Sequence, residues 1–323
     1  MSRCFLSFAS DEKLRFRATS GGCGSALLRW LFDRSLIGTA VSFRYCPGQR
    51  CYQPVLIHRY EDYEVTGSVY HEVDLVAFLK THSDEILGGF ACFCLPCQAR
   101  AIRQTVSEAG HAVFLMGLAC SSQLSLDATG FLLRRLHVQE EDVAEIRYRG
   151  DGWPGGVRIV LKDGDIRMVP NLGSVWTQVF HSRLFSRRQC YTCALTLNPF
   201  SDITLADPWL PEVIGTEKTG KTLLVTHTGM GTDYLRRASA DGYLTLSPLP
   251  DDAAQRSQEG TLRRKKAFRN AGKVGKALMD IYASQRYRNW ILSGPEWLFT
   301  WHCRTKDFLE RRIVRKSDET VAG

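Results

Sequence analysis

Through the first half of the chain, short apolar runs alternate with segments whose apolar residues recur every three or four positions. That alternation is the mark of strands interleaved with amphipathic helices. It predicts a helix over residues 24–32 opened by the Gly21-Gly22 turn, short strands over 39–43 and 54–58, and a helix over 74–81. The clearest unit follows. Residues 89–94 read as a strand, 98–108 as a helix with Ala99, Ile102 and Val106 on one stripe, and 112–118 as a second strand. Strand, helix and strand within about 30 residues predict a right-handed βαβ crossover, with the two strands parallel. A hairpin is expected for 157–161 and 166–169 around Lys162-Asp163-Gly164, and another βα pair begins at 222–225. Beyond Pro250 the strand pattern stops and the chain reads as helical. The expected fold class is therefore α/β of mixed α+β character: a mixed sheet with βαβ units, a β-hairpin and a helical, basic C-terminal appendage. The expected division is an N-terminal α/β domain over 1–140, a second domain over 141–250 and a helical tail over 251–323.

Composition narrows the class without naming a chemistry. With 44% apolar and 24% charged residues among 323, the chain is neither disordered, collagenous nor coiled-coil. No apolar run approaches the roughly 18 residues a membrane span needs. The N-terminal apolar stretch is too short for a secretory signal before Asp11-Glu12-Lys13 intervenes, so a cytoplasmic location is expected. The net charge of +8 is unevenly placed: residues 1–250 hold 26 Lys and Arg against 25 Asp and Glu, whereas 251–323 hold 16 against 9. The run Arg263-Arg264-Lys265-Lys266, with Arg269, Lys273 and Lys276 beyond, reads as a solvated face or a docking patch for an acidic partner. Nucleic acid is not the expected partner, because no nucleic-acid-binding motif accompanies the run.

Eleven cysteines in a chain of this kind point to metal ligands or redox groups rather than a disulfide framework. In the βαβ unit, Cys97 falls just past the end of the first strand and Cys120 just past the end of the second. If those strands are neighbours roughly 4.8 Å apart, both thiols leave the same sheet edge, where α/β proteins place ligands. The start of the crossover helix is expected to favour the thiolate of Cys97. Cys190-Tyr191-Thr192-Cys193 adds a C-x-x-C pair. Four thiolates from Cys97, Cys120, Cys190 and Cys193 suit an iron–sulfur cluster or a Cys4 zinc. The wide separation of the pairs fits a cluster better than a zinc ribbon, whose knuckles stand roughly 15–20 residues apart. A rival pair remains open: Cys94-Leu95-Pro96-Cys97 is itself C-x-x-C at a strand-to-helix junction, so Cys94 could replace Cys120 or form a redox dithiol with Cys97. Cys4, Cys46, Cys51, Cys92 and Cys303 carry no spacing signal and read as small buried hydrophobes. His71, His111 and His181 form no ligand spacing and read as structural.

Ala18-Thr19-Ser20-Gly21-Gly22-Cys23-Gly24-Ser25 precedes a predicted helix. Consecutive backbone N–H groups and a helix N-terminus can cradle a phosphate or a flavin carbonyl; a plain tight turn is the alternative. Gly220-Lys221-Thr222 resembles a P-loop ending, but it precedes its strand where a P-loop follows one.

As a set, these pieces resemble the beta subunit of coenzyme F-420-reducing hydrogenase and its formate dehydrogenase and reductase relatives. Ala18 to Gly22 with Ser25-Ala26-Leu27-Leu28 is similar to the family's N-terminal glycine signature, and Leu95-Pro96-Cys97-Gln98 to its Pro-Cys-Gln motif. Cys120 to Ser125 matches the Cys…Ser segment loosely. Ile146-Arg147-Tyr148-Arg149 with Gly152-Trp153 resembles the stretch that follows. Arg187, Cys190 and Cys193, then Asp202-Ile203-Thr204 and Asp207-Pro208-Trp209, look like the C-terminal signature, and Gly220 to Thr228 with Gly231 like the closing strand. The resemblance implies an oxidoreductase that binds FAD and a [4Fe-4S] cluster. Cys97, Cys120, Cys190 and Cys193 would be the ligands, and Thr19, Ser20, Gly21, Gly22 and Ser25 would lie against the flavin. Electrons would pass between cluster, flavin and a small-molecule substrate or deazaflavin-type coenzyme. The catalytic residues are unassigned. Alternatives are an electron-transfer subunit docked on a ferredoxin or a larger redox enzyme, and a zinc-stabilised binding protein. The chain departs from the family in three places. It has no N-terminal ferredoxin-like cysteine run, Ser121-Ser122 stands where relatives carry His-Gly, and Ala206 stands where a glycine is common.

Overall fold

A computed structural model describes residues 3–322, with side chains through 318. Eight strands form one mixed sheet: β1 (Arg3–Ser7), β2 (Thr39–Cys46), β3 (Cys51–Ile57), β4 (Phe90–Cys94), β5 (Val113–Leu118), and, after a separate small sheet, β9 (Ile203–Ala206), β10 (Thr222–Thr226) and β11 (Ser247–Leu249). Their order is β11-β1-β10-β9-β5-β4-β2-β3. The small antiparallel sheet holds β6 (Val143–Arg147), β7 (Gly156–Leu161) and β8 (Ile166–Pro170) in sequence order. Strands from both sides of residue 140 thus share the large sheet.

The centre of that sheet is parallel: β2 with β4, β4 with β5 and β5 with β9. Such strands are buried on both faces and read as near-continuous apolar runs, as Phe-Ala-Cys-Phe-Cys of β4 does. Pleating sends alternate residues to opposite faces. Ala91, Phe114 and Met116 meet Leu27, Leu28 and Leu31 of the Cys23–Asp33 helix, while Phe90, Cys92, Val113 and Leu115 meet Ile102 and Val106 of the Ala99–Glu108 helix. The βαβ unit, the hairpin and the helical C-terminus are all as the sequence pattern predicts. Strands β1, β6, β9 and β11 carry no distinctive pattern and emerge only from tertiary pairing.

The C-terminal helices Ala253–Asn270, Gly272–Ala283, Gln285–Ser293 and Glu296–Ala322 pack closely on the body. Ile291, Leu298 and Phe299 complete the core under the small sheet with Ile146, Val157 and Trp176. Phe268, Met279 and Tyr282 close over Tyr191, inside the Cys190–Cys193 segment. Among the described residues, no helix is long and apolar enough to cross a membrane.

Candidate functional site

The parallel register of β4 and β5 pairs Cys94 with Gly117. Cys97 and Cys120 therefore each stand three residues beyond one rung, at the same sheet edge. Past that rung the Cys120 N–H donates to Thr196 O at 2.8 Å, which sets the Cys120 loop beside the segment following Cys193. Cys190 rides on the one-turn helix Arg188–Tyr191, and Cys193 Sγ accepts the Leu195 N–H at 3.4 Å. All four thiols are free. Cys120 lies within electrostatic reach of Cys97, Cys190 and Cys193, and Cys97 of Cys190 and Cys193.

Burial pushes the Cys120 thiol up to about 12, against the opposing pull of Lys265, with its cysteine neighbours adding to the rise. The expected thiolate character of Cys97 is reversed. Desolvation and the charges of Cys193 and Cys190 raise its pKa, outweighing its own backbone N–H and Lys265. Cys97 sits in the turn two residues before the helix Ala99–Glu108. Among the described residues, no three His, Cys, Asp or Glu side chains stand close enough to share one metal ion. Cys94 is buried in the strand, where its Sγ accepts a 3.7 Å bond from Asn198 Nδ2 and its backbone carbonyl accepts one at 3.2 Å.

A cavity of about 740 Å³ reaches Cys120 and also Cys94, whereas Cys97, Cys190 and Cys193 do not line it. Thr19, Ser20, Gly22 and Ser25 line one side and Cys120, Ser121 and Ser122 another, while Gly21 lies behind the wall. Ser20, Gly21 and Gly22 all hold positive φ, at 51°, 82° and 67°. The reason lies partly in the fold itself. A Cβ on Gly21 would stand 2.5 Å from Gly220 O, and one on Gly22 would stand 2.9 Å from Leu14 O. The Gly220-Lys221-Thr222 segment is thus a buttress: Thr222 Oγ1 donates to Ser20 O, and Arg15 Nε donates to Gly220 O at 3.0 Å. The Cys23–Asp33 helix starts at this turn with no side chain capping it, and Gly24 and Ser25 of its first turn line the cavity.

Residues outside the sequence-derived set complete the wall. Arg149 donates to both carboxylate oxygens of Asp207 at 3.0 Å. Asp207 also accepts from Ser20 Oγ at 2.5 Å and from Trp153 Nε1 at 2.9 Å. Burial alone would raise the Asp207 carboxyl, but Arg149 and these hydrogen bonds hold it at about 2. Arg149 Nε and Ser122 Oγ are buried without a hydrogen-bond partner among the described residues. Arg149, Trp153 and Asp207 belong to the stretches that carry the family resemblance; the signal is in the sequence, though their joint role needs the fold.

Two segments of this chain match known families: residues 4–80 match the N-terminal part of the coenzyme F420 hydrogenase/dehydrogenase beta subunit, and residues 88–252 match the C terminus of that same beta subunit. The chain belongs to the coenzyme F420 hydrogenase/dehydrogenase beta-subunit family. Its fold is similar to a chain in a xenon-derivatized structure of the F420-reducing [NiFe] hydrogenase complex from Methanosarcina barkeri. That likeness has a TM-score of 0.63 at 17% identity and covers 84% of this chain and 92% of that one. No curated protein matches this sequence. Members of this beta-subunit family are oxidoreductase components, and the glycine turn, the Pro-Cys-Gln motif and the C-x-x-C pair all fall inside the matched ranges.

The basic run meets a different fate from the expected surface patch. Arg263 pairs with Glu259 and Asp318, while Arg264 and Lys265 are buried. Lys266, Arg269, Lys273 and Lys276 remain exposed.

Proposed function

We propose that the chain is an FAD- and [4Fe-4S]-dependent oxidoreductase, with Cys97, Cys120, Cys190 and Cys193 as cluster ligands and the cavity as the flavin and substrate site. The observation that carries this reading is the joint wall. One cavity is bounded by the glycine turn with its Arg149–Asp207 pair and by Cys120, a half-buried member of four neighbouring thiols. A cubane takes one thiolate at each iron corner. Four thiols drawn from three segments can supply that set, and the long stretches of chain between them fit a cluster better than a zinc ribbon. The cavity volume falls within the roughly 300–1,000 Å³ of cofactor and ligand sites. The uncapped helix start suits a pyrophosphate, and the orphaned Arg149 Nε and Ser122 Oγ offer bonds to a polar ligand.

Bound there, the flavin would supply exchange between two-electron and one-electron chemistry, and the cluster one-electron transfer. The chain's own groups hold the site. Asp207 stays ionised at neutral pH and fixes the Arg149 guanidinium at the cavity wall. Thr19, Ser20 and Ser25 present hydroxyls, and Ser25 Oγ is placed by a 3.2 Å bond with Tyr63 OH. Desolvation favours the protonated Cys120 thiol until ligation removes the proton.

The substrate is a small molecule or a deazaflavin-type coenzyme. The exposed Lys266, Arg269, Lys273 and Lys276 favour a second reading, an electron-transfer subunit that docks an acidic ferredoxin or larger redox enzyme without a substrate of its own. Turnover by the isolated, reconstituted protein with an artificial donor and a deazaflavin acceptor supports the first reading. No turnover, with reduction by ferredoxin that slows as salt rises, supports the second. A colourless protein holding stoichiometric zinc would overturn both.

A further inference from the structure

Lys265 lies on the Ala253–Asn270 helix, beyond residue 252 where the family match ends. It is only 3% exposed. Its Nζ donates at 2.7 Å to Cys120 O and at 2.7 Å to Leu195 O. Those two carbonyls belong to different thiol-bearing segments, one being Cys120 itself and the other two residues past Cys193. The preceding residue works on the same loop: Arg264 donates to Ser121 O at 3.3 Å and Ser121 Oγ at 3.1 Å. A lysine with a long apolar stem is rarely buried this fully unless its head is bonded. Here the head ties two loops that are otherwise joined, among the described residues, by the backbone bond from the Cys120 N–H to Thr196 O.

We infer that Lys265 is the positioning residue of the thiol site, a cross-tie from the C-terminal helix that sets the spacing of Cys120 against Cys193 and places a donor-rich cationic group beside the bound cluster. The inference rests on the cluster reading of the preceding subsection for its redox consequence, but not for the tie itself. Groups that orient metal ligands typically change metal affinity roughly 10–100-fold when removed. Hydrogen bonds and charge near a cluster also set its potential. The C-terminal helix is then part of the redox site, and its basic run is divided in use: Lys265 and Arg264 face inward to the thiol loops, and Lys266 faces solvent.

The test compares Lys265→Met with Lys266→Met, and uses Lys265→Arg for rescue. In the cofactor-free chain, backbone amide hydrogen exchange should quicken at least several-fold over residues 119–122 and 194–197 in Lys265→Met, with residues 46–51 as an internal reference, and stay unchanged in Lys266→Met. In the anaerobically reconstituted protein, Lys265→Met should lose iron at roughly 10–100-fold lower chelator concentration. The potential of the iron that remains should move in the negative direction, and Lys265→Arg should restore part of both. If Lys265→Met is recovered unfolded, Lys265→Gln keeps one amide donor and should show the same changes at smaller size. Unchanged hydrogen exchange in both loops of a folded Lys265 variant overturns the cross-tie. Unchanged iron retention and potential in a protein that does hold the cluster overturn the tuning role. A wild-type protein that takes up no iron defeats the cluster reading instead, while the hydrogen-exchange arm still decides the tie.

Discussion

At the glycine-turn end of the cavity, the charged groups already satisfy one another. Arg149 is bidentate on Asp207, and Ser20 and Trp153 add their hydrogen bonds to the same carboxylate. At the thiol end, four free cysteines stand near one another with no bond among them, and backbone contacts and Lys265 hold their loops. The first end has its carboxylate and guanidinium paired before any ligand arrives, with Arg149 Nε left over for one, whereas the second gains its main interaction only when something binds. One cavity therefore combines a preorganised recognition wall with a site whose stability should depend on loading.

Substitutions at the thiol end should give the largest effect on cofactor content and the smallest on the unloaded fold. Cys97→Ser, Cys120→Ser, Cys190→Ser and Cys193→Ser should each strip or destabilise the cluster, read by iron and sulfide analysis after anaerobic reconstitution. Cys94→Ser should leave both near the wild-type level, because its sulfur is buried in β4 beside Asn198. If Cys94→Ser empties the site while Cys120→Ser does not, the ligand pair is Cys94 and Cys97.

At the opposite end, Asp207→Ala should act on the fold directly. It leaves Arg149 buried without its carboxylate, and breaking a buried pair in this way costs about 3–5 kcal/mol; urea denaturation of the unloaded chain measures it. The same pair gives an acid limb. The Asp207 carboxyl is held at about 2 against an ordinary 3.8, so between those values the unfolded chain binds more protons. Its contribution is complete above 3.8 and is lost as pH falls through about 2. A stability profile over that window should fall in wild type and flatten in Asp207→Asn.

Ser25→Ala should have the smallest effect. Losing the bond to Tyr63 OH costs about 1 kcal/mol, with flavin retention weakened more visibly than stability, as read by fluorescence of released FAD. Gly22 is a poorer probe of the flavin, because the crowding at Leu14 O would strain any side chain there with or without ligand.

The parallel centre of the sheet is legible in the sequence because β4 and β5 are continuous apolar runs flanking an amphipathic helix. Once the strands are known to be parallel, Cys97 and Cys120 at one edge follow from counting. Strand β9 is only Ile203–Ala206 and becomes a strand because β5 and β10 flank it, a pairing across more than 80 residues that no local pattern encodes. The inward turn of Arg264 and Lys265 is hidden for a similar reason. A run of four basic residues has the same composition whether it faces solvent or a thiol loop, and here helix phase and tertiary docking decide. The Cys97 thiol departs from expectation because desolvation, and the charges of neighbours that arrive from residues 190–193, outweigh the helix end.

The most direct test is quantitation of flavin, iron, sulfide and zinc, with an absorption spectrum, on wild-type protein purified without oxygen. The account predicts a brown protein with flavin bands, releasing one FAD and the iron and sulfide of one cubane per chain, with the broad cluster absorbance bleached by dithionite. A colourless protein with one tightly held zinc and no flavin would contradict it.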